Sequence, residues 1–577
     1  MTPPVALLAL LLQQPRDLRI AAHGGSAISG VIVSDDLDAR PVRHARVTLT
    51  GPEASTAISD ERGRFVFVDL PPGRYQIAAT KAAWIAASYG ARRPGRPGSA
   101  LPLEEGQQLE VTLRMARGSV LSGVVLDSNG EPAARSAVQA MHYAIVDGER
   151  RLVPAGAAAI ADDRGAYRIY GLPPGEYAVQ ASVRGVVQEL LYLTTDLDLR
   201  YATSAAHTRP PAPRTVRFAA TFYPSATNAS QATMIAIRAG EERDDIDIQM
   251  QLEPTVRVEG VVAPVEMGVP PGTEVVLVSV APSGALPGAA VDGTDRRRVG
   301  SDGAFVFPNL APGTYTLIAR AAKPTTLVDG SAGPPQFMWT STQITVAGEP
   351  VTGIVLSLQP GMRVSGRVGF QKTRLSVPDM SSVRVTLQPV LAPGLVGFAP
   401  VPVSPSADGS FTINGVTPGR YRLTAAVPGS GRAGGWTLRS AVVNGQDTLD
   451  EPMTIQANQN VTDAAVTFVD RAATLTGTVV EASGRVAAGC AVVVFPTDPS
   501  LWLAQARRIQ AVRSSADGAF SFAGLAAGEY VVAATDDAEP GEWYDPAFLQ
   551  RLLPAGTKLA IGEAQQTTLE LKAGGGR

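Results

Sequence analysis

One phrase is written five times along this chain: a glycine, an aromatic residue two places on, and a Gly-x-Tyr ten places after the first glycine. It reads Gly63, Phe65 and Gly73-Arg74-Tyr75, then Gly165, Tyr167 and Gly175-Glu176-Tyr177. The later copies are Gly303, Phe305 and Gly313-Thr314-Tyr315; Gly409, Phe411 and Gly419-Arg420-Tyr421; Gly518, Phe520 and Gly528-Glu529-Tyr530. Identical internal spacing marks a tandem array, in which each copy belongs to one structural module. Five copies predict five modules.

Within the phrase, apolar residues alternate: Phe65/Phe67, Tyr167/Ile169, Phe305/Phe307, Phe411/Ile413 and Phe520/Phe522. That is the period of a half-buried strand, so each phrase is expected to be a β-hairpin. Its entering turn centres on Gly63, Gly165, Gly303, Gly409 or Gly518. Asp302, Asp408 and Asp517 precede the glycine in three copies, while Arg62 and Arg164 stand there in the first two and admit a different turn type. The second turn centres on Gly73, Gly175, Gly313, Gly419 or Gly528, where glycine is expected to absorb the chain reversal after a proline, replaced by Ala527 in the last copy.

A second phrase opens each module: Ile28-Ser29-Gly30-Val31, Leu121-Ser122-Gly123-Val124, Val258-Glu259-Gly260-Val261, Val364-Ser365-Gly366-Arg367 and Leu475-Thr476-Gly477-Thr478. An alternating run such as Leu109/Val111/Leu113 closes it. The expected units are 24–116, 118–252, 255–359, 361–470 and 472–573, after a candidate export signal at 1–22. Short strands between Gly/Pro turns define an all-β chain of five tandem antiparallel β-sandwich domains of transthyretin-like or Ig-like type, with short helices in the last unit. With 58 Gly, 45 Pro and 45% hydrophobic residues in 577, the chain is both turn-rich and apolar enough to pack. About 100 residues per unit suffice for a core of its own.

The 50 basic and 53 acidic residues are mixed along the chain, leaving none of the basic stripes that phosphate neutralisation requires. Nucleic acid is excluded as a partner on that ground. Local charge is concentrated in two loops. Arg92, Arg93 and Arg96, following Trp84 and Tyr89, are a weak anion-binding candidate, with a solvated loop tip as the plainer reading. Asp35, Asp36 and Asp38 place three carboxylates within four residues, a weak Ca²⁺ candidate against a solvated turn.

Residues for catalysis are sparse. The four histidines, His23, His44, His142 and His207, lack partners at metal-ligand spacing, and neither a Gly-x-Ser-x-Gly elbow nor a phosphate-binding Gly-x-x-x-x-Gly-Lys loop occurs. His142 is expected to pair on a strand face. Cys490, the single cysteine, sits in a strand pattern where a buried thiol is expected. No catalytic residue, cofactor or metal is therefore assigned, although carboxylates brought together from separate loops are invisible in a sequence. The apolar run Val5 to Leu12 has signal-core length and is far too short to span a bilayer.

The stretches Asp38-Ala39-Arg40-Pro41-Val42, Asp127-Ser128-Asn129-Gly130-Glu131-Pro132 and Ala482-Ser483-Gly484-Arg485-Val486, each followed by the five-fold phrase, resemble carboxypeptidase regulatory-like domains. The resemblance implies transthyretin-like sandwiches of the carbohydrate-binding-like fold, in large exported bacterial proteins. It implies no peptidase activity, because that name refers to an accessory domain. The self-crosslinking isopeptide bond of adhesin repeats is not expected, since no lysine lies on an opening strand.

The candidate ligand site is the last unit. Asp498-Pro499 and Asp545-Pro546 read as helix starts, with Asp as N-cap and Pro at the first helical position. These segments carry Trp502, Trp543, Tyr544 and Phe548, either a platform for sugar rings or a cover over the open end of the sandwich. The sequence thus reads as a non-catalytic exported binding or scaffold protein of the bacterial envelope, periplasmic, surface-exposed or secreted, with polysaccharide or an envelope protein as partner and no integral membrane span. The alternative is an accessory subunit or cryptic hydrolase acting on envelope polysaccharide or peptide.

Overall fold

The computed structural model describes residues 25–91, 93–146, 148–183, 191–192, 199, 215–265, 268–279, 294–326, 332–390, 400–428, 435–535 and 538–574. The candidate export signal at 1–22 and Arg92 lie outside them. The chain is mostly strand, arranged as successive two-sheet units. In unit one the opening strand Ser26–Ser34 runs antiparallel to Arg64–Leu70 and parallel to the closing strand Gln108–Met115. The facing sheet is built on Arg46–Thr50 and Gly73–Thr80. The same plan recurs around the opening strands Ser119–Leu126, Leu252–Val262, Met362–Gln371 and Ala473–Val480, each with its closing strand parallel. Each unit has its own apolar core.

The two recurrent phrases meet. In every unit the opening-strand glycine is the cross-strand partner of the phrase aromatic: Gly30 with Phe65, Gly123 with Tyr167, Gly260 with Phe305, Gly366 with Phe411 and Gly477 with Phe520. A Cβ at these glycines would lie 1.9–2.4 Å from a carbonyl oxygen of the closing strand. The aromatic ring covers the bare backbone that results, with its tip 2.6–2.8 Å from the Cβ position at Gly30, Gly260 and Gly477.

The phrase itself is not a hairpin. Among the described residues its first strand pairs with the opening strand and its second with the strand on the other side of the core, so the phrase crosses the core; in units one to four these are separate sheets, and in unit five the closing strand Gln566–Gly574 joins them by pairing with both. Alternation dictates one buried face per strand, and two strands facing each other satisfy it as well as two side by side. The entering turn is alike in all five units. Each glycine has φ of 73–83° and donates its N–H to the carbonyl three residues back, as in Gly63 to Asp60 (2.9 Å) and Gly303 to Gly300 (3.1 Å). Where Arg62 or Arg164 precedes the glycine, Asp60 or Asp162 caps the turn from two places further back. The different turn type that the arginines admitted does not occur.

The reversal is absorbed elsewhere than expected. Gly175, Gly313 and Gly528 are not left-handed, and Gly73 and Gly419, at φ 157° and 159°, are close to extended. The left-handed residue is six places after the turn glycine: Asp69, Gly171, Asn309, Gly415 and Gly524, with φ of 57–80°. Each is an extra residue on its strand, a bulge that twists the strand end out of its sheet. The second glycine lies against the tyrosine ring instead, its Cβ position in units two to five being 3.3–3.5 Å from that ring. That ring folds back so that its hydroxyl donates to the carbonyl four residues earlier: Tyr75 to Pro71, Tyr177 to Pro173, Tyr315 to Ala311, Tyr421 to Thr417 and Tyr530 to Ala526, at 2.7–3.0 Å. This is a tyrosine corner, pinning the crossover to the strand it feeds.

Neighbouring units are not beads on a string. Thr215–Phe218, inside the unit-two span, pairs antiparallel with residues 252–255, which enter the first strand of unit three. Trp339, on the strand Ala332–Val346 of unit three, belongs to the core cluster of unit four. Unit five contacts units one, two and four.

Candidate functional site

The strand Ala491–Pro496 of unit five is buried along its whole length, on both faces. Val492 and Val494 face the sandwich core, while Ala491, Val493 and Phe495 face outwards into a second cluster. Two inserted segments supply that cover. Pro499–Leu501 forms a 3-10 turn capped by the Asp498 side chain on Ser500 N, and Pro546–Leu552 an α-helix capped by Asp545 on Ala547 N. Both helix starts lie where the Asp-Pro pairs predict them.

Of the candidate aromatics, Trp502 and Phe548 are core residues with 7% and 4% of their surface exposed. Trp502 packs edge-on to Phe495 and donates its indole N–H to the Pro496 carbonyl at 2.8 Å. Neither offers a face to a sugar ring. Trp543 and Tyr544 are half-buried on a one-turn 3-10 element, their rings tilted and 6.2 Å apart. The four do not form one platform. They hold the insert to the sheet, and only Trp543 and Tyr544 reach its surface.

Parts of that surface meet other units. Towards unit two, a Cβ on Gly541 would lie 2.3 Å from the Ile145 carbonyl, and one on Gly148 2.5 Å from the Ala504 side chain. Towards unit four, Arg422 donates to the carbonyls of Ala504 (2.7 Å) and Gln505. Arg507 forms ion pairs with Asp447 and Asp450, both at 2.7 Å, and Arg508 with Asp450 at 2.9 Å. These four side chains are 12–20% exposed. Burial alone would raise the Asp450 carboxyl, but the two guanidiniums outweigh it and hold the group below the usual carboxylate range. Arg439 of unit four also pairs with Glu563.

Unit one closes on the same domain. Ala516 donates its N–H to the Ala100 carbonyl at 3.0 Å, a Cβ on Gly489 would sit 2.3 Å from the Gly90 carbonyl, and Arg96 pairs with Glu539 at 2.7 Å. Arg96 thus bridges two units, while Arg93 is exposed. Beside this pair lies His142 on the strand Ala137–Val146 of unit two, edge-on to Tyr177 with centroids 6.3 Å apart. Burial and then Glu539 push the Tyr177 hydroxyl up to about 12.

The remaining candidates serve local ends. Asp36 accepts from the Ser34 hydroxyl and Ala39 N, and Asp38 pairs with Arg40, so these two carboxylates point at separate donors of their own loop. Among the described residues no group of three His, Cys, Asp or Glu side chains is arranged to hold a metal ion. Cys490 is fully buried in the unit-five core.

The arrangement defines a multidomain β protein whose last unit is a docking hub. Its first unit is a carboxypeptidase regulatory-like domain: residues 27–116 match that family. A search of curated proteins finds no match. Among solved structures, the chain is similar to the Streptococcal ancillary pilin at 12% identity, over 58% of this chain and 98% of that one, with a TM-score of 0.22. It is similar to the Bacillus anthracis TIE protein at 12% identity (77% and 68% covered, TM-score 0.14) and to GBS52, the minor pilin of Streptococcus agalactiae, at 12% (40% and 98%, TM-score 0.20). Among the described residues no helix is long and apolar enough to cross a membrane.

Proposed function

We propose that this chain is a non-catalytic, exported scaffold and binding protein of the bacterial envelope, periplasmic, surface-exposed or secreted, which holds its β-sandwiches in a fixed arrangement and engages polysaccharide or another envelope protein through its loops. The observation that carries the reading is the hub: unit five docks by close backbone approach on units one and two and by a buried ion-pair cluster on unit four. A chain whose modules were independent spacers would not spend glycines and buried charges on contacts between distant units. The recurrent residues support it too. The phrase glycines, aromatics and tyrosines are consumed in turns, cross-strand pairs and corners, leaving loops as the variable part.

Within this reading Trp543 and Tyr544 are the aromatic contact candidates. Trp543→Ala is expected to lower retention of the full chain in polysaccharide affinity gels. Equal retention removes sugar stacking at this site. A screen against glycosidase and peptidase substrates tests the non-catalytic part: turnover that a single carboxylate substitution abolishes would replace scaffold by hydrolase.

A further inference from the structure

We propose that the place where units one, two and five meet is an acid-released latch, in which proton uptake by His142 loosens the hold of unit five on units one and two. The inference goes beyond the scaffold reading and needs no ligand. Among the described residues the buried Nδ1 of His142 has no hydrogen-bond partner. On its own sheet it faces the Tyr177 ring, and its partner across the hairpin is Val153, which is apolar. The charges that reach it come from the two other units: Arg96 from unit one and Glu539 from unit five, already paired with each other at 2.7 Å. Glu542, on the 3-10 turn that follows Glu539 and contacts the His142 strand, receives the Glu539 N–H at 2.9 Å and the Arg551 guanidinium.

Neutral imidazole fits this place and imidazolium does not. Protonation puts a charge on a ring whose Nδ1 is buried, where an incompletely paired charge is costly. The acid whose charge reaches it is Glu539, so a charged His142 either draws it from Arg96 or is hydrated by separation of the units. Ile145, whose carbonyl meets Gly541 of unit five, is three residues along the same strand, so the disturbance falls on the docking contact itself. Burial holds His142 below the ordinary histidine range, against an opposing pull from Glu539 that is larger than the small further lowering by Arg96. The sign follows: the docked state binds fewer protons than the undocked one, so docking is complete above the ordinary histidine range and weakens as pH falls through it, by up to about tenfold per pH unit.

Hydrogen exchange of the full chain at about pH 7.5 and about pH 5, corrected for intrinsic exchange, reads this out across residues 141–146 and 538–545. The latch requires protection there to fall on acidification, by up to about tenfold per pH unit, to stay flat in His142→Gln, and to fall as in the wild type in His44→Gln, whose imidazole is exposed beside Glu61. An equal fall in His142→Gln, or none in the wild type, overturns it. Should His142→Gln fail to fold, NMR titration of the His142 ring in the native chain decides: a midpoint below the free histidine value is required, and one at or above it refutes the latch.

Discussion

The guanidinium of Arg507 in unit five grips the carboxylate of Asp450 in unit four through two bonds, Nε to Oδ1 at 2.7 Å and a terminal nitrogen to Oδ2 at 3.0 Å. Arg508 adds a third contact to Oδ2 at 2.9 Å. Removing one partner of a buried pair leaves the other charge uncompensated, which costs about 3–5 kcal/mol. Asp450→Ala leaves Arg507 with Asp447 but strips Arg508 of its carboxylate, so the unfolding free energy is expected to fall by up to about that amount, read from the denaturant midpoint. A change typical of surface pairs, under about 1 kcal/mol, would mean that the junction is open to water.

The same carboxylate gives the unit-four to unit-five contact an acid limit. Because Asp450 is held below its ordinary range, its contribution is complete above the unfolded carboxyl value and is lost as pH falls through the depressed native one. Melting temperature followed from neutral to strongly acid pH is expected to drop less in Asp450→Asn than in the wild type. Parallel curves would remove Asp450 from the account.

Gly260→Ala tests the pairing of the two recurrent phrases. Its Cβ would meet the Ile354 carbonyl at 2.4 Å and the Phe305 ring at 2.6 Å, and backbone cannot yield as a side-chain tip can. Overpacking of this kind costs about 1–3 kcal/mol. Calorimetry should show the loss, which is steric because Gly260 is not left-handed; Gly272→Ala in the same unit, with open space around its Cβ but a φ of 75°, gives the contrasting cost of backbone strain alone.

Tyr75→Phe removes one corner hydroxyl and leaves the buried ring in place. Its bond to the Pro71 carbonyl, 2.7 Å long, is expected to contribute about 1 kcal/mol, lost as a downward shift of the denaturant midpoint. An unchanged midpoint would reduce the fifth residue of the phrase to packing.

What the sequence made legible was whatever repeats at fixed spacing. Five copies of Gly-x-Phe/Tyr showed a chain of several β units and their buried alternation, and the Asp-Pro pairs gave both helix starts in unit five. Alternation could not distinguish a hairpin from a crossover, because it reports which side is buried and not what lies beside the strand. The bulge residue was in plain view as Asp69, Gly171, Asn309, Gly415 and Gly524, all types that tolerate a left-handed backbone, but it lies inside a strand pattern where no turn is sought. The hub was not legible. Arg507 and Arg508 interrupt an insert flanked by Trp502 and Ile509, which marks them as unusual, yet nothing local points to Asp447 and Asp450 sixty residues away.

The central claim is that unit five packs back on unit one, so that the chain is closed and not a rod. Arg74 and Asp517 approach to 3.9 Å across that contact. Spin labels on Arg74→Cys and Asp517→Cys in a Cys490→Ala background, measured by pulsed dipolar spectroscopy, should report a single short distance with a narrow distribution. A broad distribution reaching the separation expected between the ends of an extended five-unit array would contradict the account.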